Sequence, residues 1–444
     1  SLLQSVADEM GVVLMRAAFS PNIKERRDHS CALFDSEGRL LAQAAHIPVH
    51  LGSMPMSVLS AIASVPMLPG QSVMVNDPYA GGTHLPDLTI VTPVYADKSA
   101  RDATPAFYVA NRAHHADVGG LVPGSLPLSD HIDHEGVRVA PVPVTPETRA
   151  HFCAASRTPG EREGDLSAQL AANRVGADRV SELIHRFGEA ELRNRTSTLR
   201  SYSARLMGQV IAAIPDGTYT SEDWMDGDGL SVSDVRLALA LTIAGEQATF
   251  DFRESDDKVP GPINAVRAIT LSAVFYVMRC LGPEDMPTTS GCLTPITVLT
   301  RPGSLLDARY PAPVAAGNVE TSQRIVDLVF RALSGAIPDQ IPAASSGTMS
   351  NVCLGGGEDE EAFVYYETIG GGAGAGPTWD GTSGVHTHMT NTLNTPIEAF
   401  EHAYPARITA YHLREVQAGV DQGYTGGRGI VREYEALVPT TATV

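Results

Sequence analysis

One short stretch of the chain, NDPYAGGTHLPDLT (76–89), combines a histidine and a carboxylate at a spacing that suits a metal ion. His84 and Asp87 stand three residues apart, so both groups can point at one ion if the chain turns back at the Leu-Pro pair between them. The Gly-Gly pair before His84 permits a tight backbone bend. Imidazole with carboxylate favours zinc, manganese or iron over calcium or magnesium. The alternative is that these are ordinary polar loop residues.

A second stretch, VANRAHHADVGG (109–120), adds the adjacent pair His114 and His115. Successive side chains on a strand point to opposite faces, so the two imidazoles cannot both reach one ion if this segment is a strand. We therefore expect one of them to join the H-x-x-D pair as a metal ligand and the other to contact substrate. The residues themselves leave open which one does so.

Asp28, in ERRDHS, is a second carboxylate candidate for the metal, although the two arginines before it could simply be its salt-bridge partners. The remaining histidines of this part of the chain are each interpreted as ordinary polar residues; they are His46, His50, His131 and His134.

Two further groups of polar residues are candidates for substrate contact. Asp165, Gln169 and Asn173 recur every four residues in GDLSAQLAAN, which predicts one polar stripe on a helix that either lines a pocket or faces water. In HTHMTNTLNTP, His386 and His388 are predicted to lie on one face of a strand, as a second metal site or as a wall of the substrate site.

Other common chemistries lack their sequence context. No serine stands in a G-x-S-x-G elbow, and no G-x-x-x-x-G-K-[ST] phosphate loop occurs. The glycine-rich stretch ETIGGGAGAGPTWDG (367–381) is followed by a turn rather than a helix, which favours a flexible active-site loop over a dinucleotide site.

The composition excludes several classes of partner. A net charge of −19 repels phosphate backbones and anionic lipid, which argues against nucleic-acid and membrane-surface roles. No run approaches the roughly 18 apolar residues that span a bilayer, and the first residues lack the order of a signal peptide. The five cysteines are scattered without a C-x-x-C pair, which is typical of reduced thiols in the cytoplasm.

Hydrophobic periodicity predicts the elements that must position these residues. A length of 444 residues suggests two or three domains, and the pattern predicts a mixed α/β (α+β), multidomain fold with helices packed on mixed sheets. Residues 1–20 already show helical spacing without an initial Met, so we expect the natural chain to extend before Ser1. The predicted regions are an N-terminal metal-site region (1–159), a helical segment (160–215), a β-rich segment (216–261) and a C-terminal α/β region with glycine-rich loops (262–444).

Six motifs in order resemble the hydantoinase B/5-oxoprolinase family, from about residue 6 to residue 435. They are SPNIKERRDHSCALFD, NDPYAGGTHLPDLTIVTPVY, NRAHHADVGG, GDLSAQLAAN, AGNVETSQRIVD and HMTNTLNTPIEAFE. The family includes B subunits of ATP-dependent hydantoinases and lactamases, the second half of 5-oxoprolinase, and subunits of acetone and acetophenone carboxylases. The chain departs from the family pattern at REVQAGVDQGYTGGRG (414–429), where a Ser and two adjacent Gly are lost.

The resemblance implies a division of labour within a hetero-oligomer. A hydantoinase A-type subunit with an actin/hexokinase-like fold binds ATP and phosphorylates the substrate oxygen, so ATP is not bound by this chain. The B subunit holds a divalent metal (Zn, Mn or Fe) where the activated intermediate reacts. The family's ligands carry over to His84, Asp87 and His114, with Asp28 in a motif that can also reach the metal.

The resemblance further implies metal-assisted hydrolysis of a cyclic amide, such as a hydantoin, a lactam or 5-oxoproline. The metal would polarise a carbonyl or lower the pKa of bound water to about 7. Asp117 or His115 would carry the proton, because each is close in sequence to a ligand. Two alternatives stay open: a subunit of an ATP-dependent ketone carboxylase, and a non-catalytic scaffold of such a complex.

Overall fold

The computed structural model describes residues 2–45, 47–97, 104–415 and 423–444. Its helices are α1 (Leu2–Ala17), α2 (Pro21–Lys24), α3 (His50–Ser64), α4 (Pro146–Ala154), α5 (Pro159–Phe187), α6 (Glu189–Ala212), α7 (Arg267–Leu281), α8 (Ser322–Ser334) and α9 (Ile397–Ala403). Its strands are β1 (His29–Asp35), β2 (Leu40–Ala45), β3 (Val73–Val75), β4 (Asp87–Val94), β5 (Phe107–His114), β6 (Val142–Pro143), β7 (Gly217–Met225), β8 (Val235–Ala244), β9 (Gln247–Asp251), β10 (Ile296–Leu299), β11 (Asn351–Gly356), β12 (Phe363–Thr368), β13 (Ala406–Leu413), β14 (Ile430–Ala436) and β15 (Thr440–Thr443).

An antiparallel sheet in the order β2-β1-β5-β4-β3-β6 carries the residues of most chemical interest. Its central strands are covered on both sides, since every residue of β1, β4 and β5 is buried. Leu33 and Val109 pack into one hydrophobic cluster with α1 and α5, whereas Phe34 and Tyr108 pack into another with α3. Two-sided burial explains why these strands are so rich in apolar residues.

Three smaller sheets make up the rest of the fold. They have the orders β10-β9-β8-β7, β12-β11-β15 and β13-β14, and only the β9–β10 pair is parallel among the described strands. Helices α7 and α8 pack together, and α7 also crosses α3 at Gly52, whose backbone N–H donates to Ser272 Oγ at 3.1 Å. A side chain on Gly52 would collide with the backbone of α7, so this glycine permits the close crossing of α3 and α7.

The mixed α/β fold class is confirmed, with helices packed on several separate sheets. The predicted N-terminal helix is α1, and the predicted helical segment 160–215 corresponds to α5 and α6. One hydrophobic cluster includes buried residues from Ala32 to Met389, and the division into four regions stays a prediction. Within the ranges that the structure describes, no helix is both long and apolar enough to cross a membrane.

Candidate metal centre

His84, Asp87 and His114 place metal-ligating atoms within 4.8 Å of one another, and all three residues are buried. Asp87 begins β4 and is the cross-strand partner of His114, which ends β5. His84 lies in the turn immediately before β4.

The spacing of the three ligand atoms fits a bound ion. His84 Nε2 lies 3.2 Å from His114 Nδ1, and Asp87 Oδ1 lies 3.6 Å and 3.5 Å from these two nitrogens. A transition-metal ion about 2.1 Å from each of its ligands keeps neighbouring ligand atoms roughly 3 to 3.5 Å apart. The donor set and its distances therefore suit a divalent transition metal.

The Gly-Gly turn before the triad is required by close packing as well as by backbone geometry. Gly81 has φ +91°, and a Cβ at this position would lie 2.4 Å from the carbonyl carbon of Met56 in α3. The turn then closes through two hydrogen bonds, from Asp87 N–H to the His84 carbonyl oxygen at 3.2 Å and from Thr83 Oγ1 to Asp87 Oδ2. The turn thus brings His84 and Asp87 to the same side.

Replacement of Gly81 by Ala is expected to destabilise the protein by at least about 2 kcal/mol, because a strained left-handed backbone is combined with a backbone clash. Urea unfolding measures this change. Gly70→Ala is the matched control, since Gly70 has φ +83° but a Cβ added there would meet no atom within 4 Å; its cost should stay near 1 kcal/mol. Equal losses for the two variants would show that the contact with α3 is unimportant.

The protonation states around the triad also suit a metal. Burial opposes ionisation of Asp87, but the nearby imidazoles of His84 and His50 hold the pKa of its carboxyl well below the usual range. Burial lowers the pKa of His114 to about 3, against the opposing influence of Asp87. A carboxylate beside a neutral imidazole is the state that metal binding requires.

Comparisons with known proteins place the chain in a family. Residues 1–444 match the family model described as Hydantoinase B/oxoprolinase. The chain belongs to this family. 5-oxoprolinase 1 of Arabidopsis thaliana is 38% identical over 480 residues, which cover 99% of this chain and 36% of the plant protein. The chain thus spans about a third of the length of this hydantoinase B/oxoprolinase relative.

Two solved structures share the fold of this hydantoinase B family chain. The ATP-dependent caprolactamase from Pseudomonas jessenii superimposes with a TM-score of 0.89 at 27% identity, covering 100% of this chain and 78% of the caprolactamase chain. A nucleotide-free acetone carboxylase superimposes with a TM-score of 0.87 at 16% identity, covering 99% of this chain and 62% of the carboxylase chain. The second likeness establishes a common fold alone.

His50 and Asn318 are neighbours of the triad that sequence reasoning missed. His50 Nε2 lies 3.4 Å from Asp87 Oδ2, and its Nδ1 lies 3.0 Å from Ser30 Oγ. Burial lowers the pKa of His50. Asn318 Nδ2 lies 3.2 Å from His84 Nε2. A signal for Asn318 was present in AGNVETSQRIVD, one of the hydantoinase B motifs, whereas His50 has no local signal.

Asp28 lies beside the triad in this hydantoinase B family chain but is not one of its three converging groups. Its carboxylate is 4.0 Å from Arg26 Nη2, and its carbonyl oxygen accepts the His114 N–H at 3.0 Å. Burial raises the pKa of Asp28 to about 7, while Arg26 acts to lower it. Its role as a metal ligand stays a prediction.

His115 and Asp117, the predicted proton carriers, have different surroundings. His115 points away from the triad towards α5, where its Nε2 lies 3.0 Å from Gln169 Oε1. Burial, reinforced by Arg162, lowers the pKa of His115 to about 4. Both carboxylate oxygens of Asp117 already accept hydrogen bonds. The donors include the Arg157 backbone N–H at 2.7 Å and Ser156 Oγ at 3.0 Å. Their catalytic roles stay predictions.

The polar stripe of α5 is buried against the rest of the protein rather than exposed to water. Asp165 Oδ1 accepts the backbone N–H groups of residues 19 and 20. Gln169 and Asn173 donate their side-chain amides to β4 carbonyl oxygens, at 2.9 Å each. These contacts hold α5 on the main sheet, and any contact of Asp165 or Gln169 with substrate stays a prediction.

The strand predicted around His386 and His388 is wrong. His388 lies in a turn with φ +57°, and no strand includes either residue in the part of the chain described here. The backbone there bonds to side chains instead of a neighbouring strand: Gln323 contacts both the residue 387 carbonyl oxygen and the Met389 N–H. His388 Nε2 lies 3.0 Å from Asp327 Oδ1.

His386 Nε2 is buried without a hydrogen-bond partner among the described residues. Burial, reinforced by Arg26, lowers the pKa of His386 to about 4. Two further sites named from the sequence fall outside the described ranges, namely His46 and residues 416–422 of the divergent segment 414–429.

Proposed function

We propose that this chain is the B-type subunit of an ATP-dependent hydrolase of cyclic amides, of the hydantoinase/5-oxoprolinase type. It would open a ring that an A-type partner subunit has activated by phosphorylation. The observation that carries this proposal is the buried triad of His84, Asp87 and His114 in a member of the hydantoinase B family. The likeness to an ATP-dependent caprolactamase at 27% identity supports an amide ring as substrate.

The triad would hold a divalent transition metal, either zinc, manganese or iron. Such an ion supplies Lewis acidity towards a substrate oxygen and acidifies water at neutral pH. Asp87 contributes the negative charge of the site. Thr83 Oγ1 donates a hydrogen bond to its second oxygen, and His50 Nε2 lies 3.4 Å from the same oxygen. Contacts of this kind keep a ligating carboxylate oriented. Asp28 adds a second carboxyl group close to the triad.

Of the two proposed proton carriers, only His115 keeps an unoccupied polar atom among the described residues, but its ring points towards α5 and away from the triad. Burial keeps this imidazole neutral near pH 7, and its Nδ1 is buried without a partner in the described part of the chain. A neutral ring with a free nitrogen can accept a proton, but a pKa lowered to about 4 makes this ring a weak base near pH 7. Asp117 is less suited to the role, because its oxygens are occupied in holding residues 119, 124, 156 and 157.

A cavity of about 1350 Å³ is the proposed place for the substrate. Ala315, Ala316, Val319 and Glu320 form part of its wall. The carbonyl oxygen of Ala315 also lies 3.4 Å from His84 Nδ1, so one segment of chain separates the cavity from the triad. The four residues predicted to bind substrate are absent from the described lining, and their role stays a prediction; they are Asp165, Gln169, His386 and His388.

The ATP-binding step is assigned to a partner, so we propose a hetero-oligomer. The chain has no phosphate-loop motif and a net charge of −19, which disfavours capture of ATP. It covers only 36% of 5-oxoprolinase 1, which leaves room in that relative for an ATP-binding part. The intact triad favours an enzyme over a scaffold. We place the protein in the cytoplasm on the basis of its cysteine pattern.

The proposal is tested by co-purifying the chain with its A-type partner and screening hydantoins, 5-oxoproline, lactams and ketones for ATP-coupled phosphate release and product. We expect ring-opened product from one of the cyclic amides, and no calorimetric ATP binding by the isolated chain. Carboxylated product from a ketone with bicarbonate would favour the carboxylase alternative. Micromolar ATP binding by the isolated chain would contradict the assigned division of labour.

A further inference from the structure

Asn318 lies between the triad and the proposed substrate cavity. Ala316, Val319 and Glu320, which are near it in sequence, line the cavity. Asn318 itself is only 5% exposed, and its side chain contacts His84. Asn318 belongs to the irregular turn Gly317–Thr321, where the backbone adopts π-helical hydrogen bonding before α8 begins. Turns of this kind recur at functional sites because they re-aim side chains.

The contact between Asn318 and His84 occupies the nitrogen that a metal ion would use. His84 Nδ1 faces the carbonyl oxygen of Ala315 at 3.4 Å, and a carbonyl oxygen can only accept. Nδ1 therefore carries the ring proton, and Nε2 keeps a lone pair. Asn318 Nδ2 donates to this lone pair across 3.2 Å. An ion bound to Nε2 would take the same lone pair, and the amide N–H would lose its acceptor.

The other end of the same carboxamide lacks a partner. Asn318 Oδ1 is buried and accepts no hydrogen bond from the described residues. Buried carbonyl oxygens in proteins are almost always satisfied. The final torsion of an Asn side chain is broad and nearly two-fold, so the amide can exchange its nitrogen and oxygen positions in place. That exchange would place Oδ1 where Nδ2 now lies, 3.2 Å from His84 Nε2, which is the spacing of neighbouring ligand atoms around one ion.

We propose that Asn318 is a fourth ligand of the metal centre and contributes its carboxamide oxygen from the cavity side. This inference rests on the metal site of the proposed function. A carbonyl oxygen is a hard donor. Hard oxygen donors suit manganese, whereas imidazole nitrogens also suit zinc. Asn318 thereby biases the site towards Mn²⁺ relative to Zn²⁺, and it places the ion beside the cavity wall.

The test measures binding of Mn²⁺ alone and of Zn²⁺ alone to the full chain by calorimetry, for wild type, Asn318→Ala and Asn318→Asp. Asn318→Ala should weaken Mn²⁺ binding at least about 10-fold and Zn²⁺ binding less, so the ratio of the two affinities changes. Asn318→Asp keeps an oxygen and adds charge, so it should retain Mn²⁺ binding. Ser322→Ala is the control, because Ser322 begins α8 directly after this turn and its Oγ donates to the backbone carbonyl oxygen of Asn318 at 2.6 Å.

Each result of this test has a defined meaning. Unchanged Mn²⁺ affinity in Asn318→Ala, or equal losses in Asn318→Ala and Ser322→Ala, would overturn the fourth ligand while leaving the triad intact. A wild-type chain that binds neither metal would instead contradict the proposed metal site itself. If Asn318→Ala does not fold, Mn²⁺ electron–nuclear double resonance on the wild-type chain with ¹³C-carboxamide asparagine decides the matter: a ¹³C coupling supports the ligand, and its absence overturns it.

Discussion

Asp87→Asn is expected to separate ATP consumption from product formation in the complex with the A-type partner. ADP should still form in the presence of substrate, while ring-opened product falls at least about 100-fold. Asn keeps the shape of the side chain but removes the negative charge on which His84 and His114 converge, which weakens metal retention. The distant ATP site would feel this only through interface coupling, typically about 1–3 kcal/mol. Parallel assays of ADP and of product measure the two steps.

The control for this variant is a buried carboxylate outside the triad. Asp307 is 3% exposed and accepts a hydrogen bond from Thr300 Oγ1 at 2.7 Å, so Asp307→Asn should leave the ratio of ADP to product unchanged. If ATP consumption and product fall together in Asp87→Asn while the metal stays bound, the triad would serve assembly or phosphorylation instead. The proposed division of labour would then be wrong.

The second large effect concerns the metal itself. The purified chain should carry close to one equivalent of a transition metal when chelators are avoided, and His84→Ala should lose most of it. Loss of a residue that only hydrogen-bonds to a metal ligand lowers metal affinity roughly 10–100-fold. Loss of a ligand itself should lower the affinity further. Elemental analysis after gel filtration measures the content, and Mn²⁺ and Zn²⁺ titrations measure the affinity.

His29→Ala provides the comparison for His84→Ala. His29 is also a buried histidine of the main sheet, but its Nε2 lies 3.1 Å from the Gly11 carbonyl oxygen of α1. Both variants remove a buried ring, and only His84→Ala should lose metal. A wild-type chain purified free of metal, or equal retention by the two variants, would show that the triad does not bind an ion.

The local part of the site could be predicted from the sequence. The spacing of His84 and Asp87 around a Pro, after two glycines, predicts that both groups converge, and a single turn does bring them together. Helical periodicity likewise predicts α1, α5 and α6. These features depend on interactions within a few residues, which a linear pattern records directly.

Contacts between distant segments were decided only by the tertiary structure. The register of β4 on β5 sets Asp87 opposite His114. The next side chain, His115, points to the other side, towards α5. The pairing therefore decides which of the two adjacent histidines joins the triad. His50 and Asn318 reach the triad from elsewhere in the chain, and Asn318 lies 234 residues from His84. The same packing buries the polar stripe of α5 and draws His388 into a turn beside Asp327. Such contacts arise because burial of apolar faces brings helices and sheets together, and no spacing within one segment records which faces will meet.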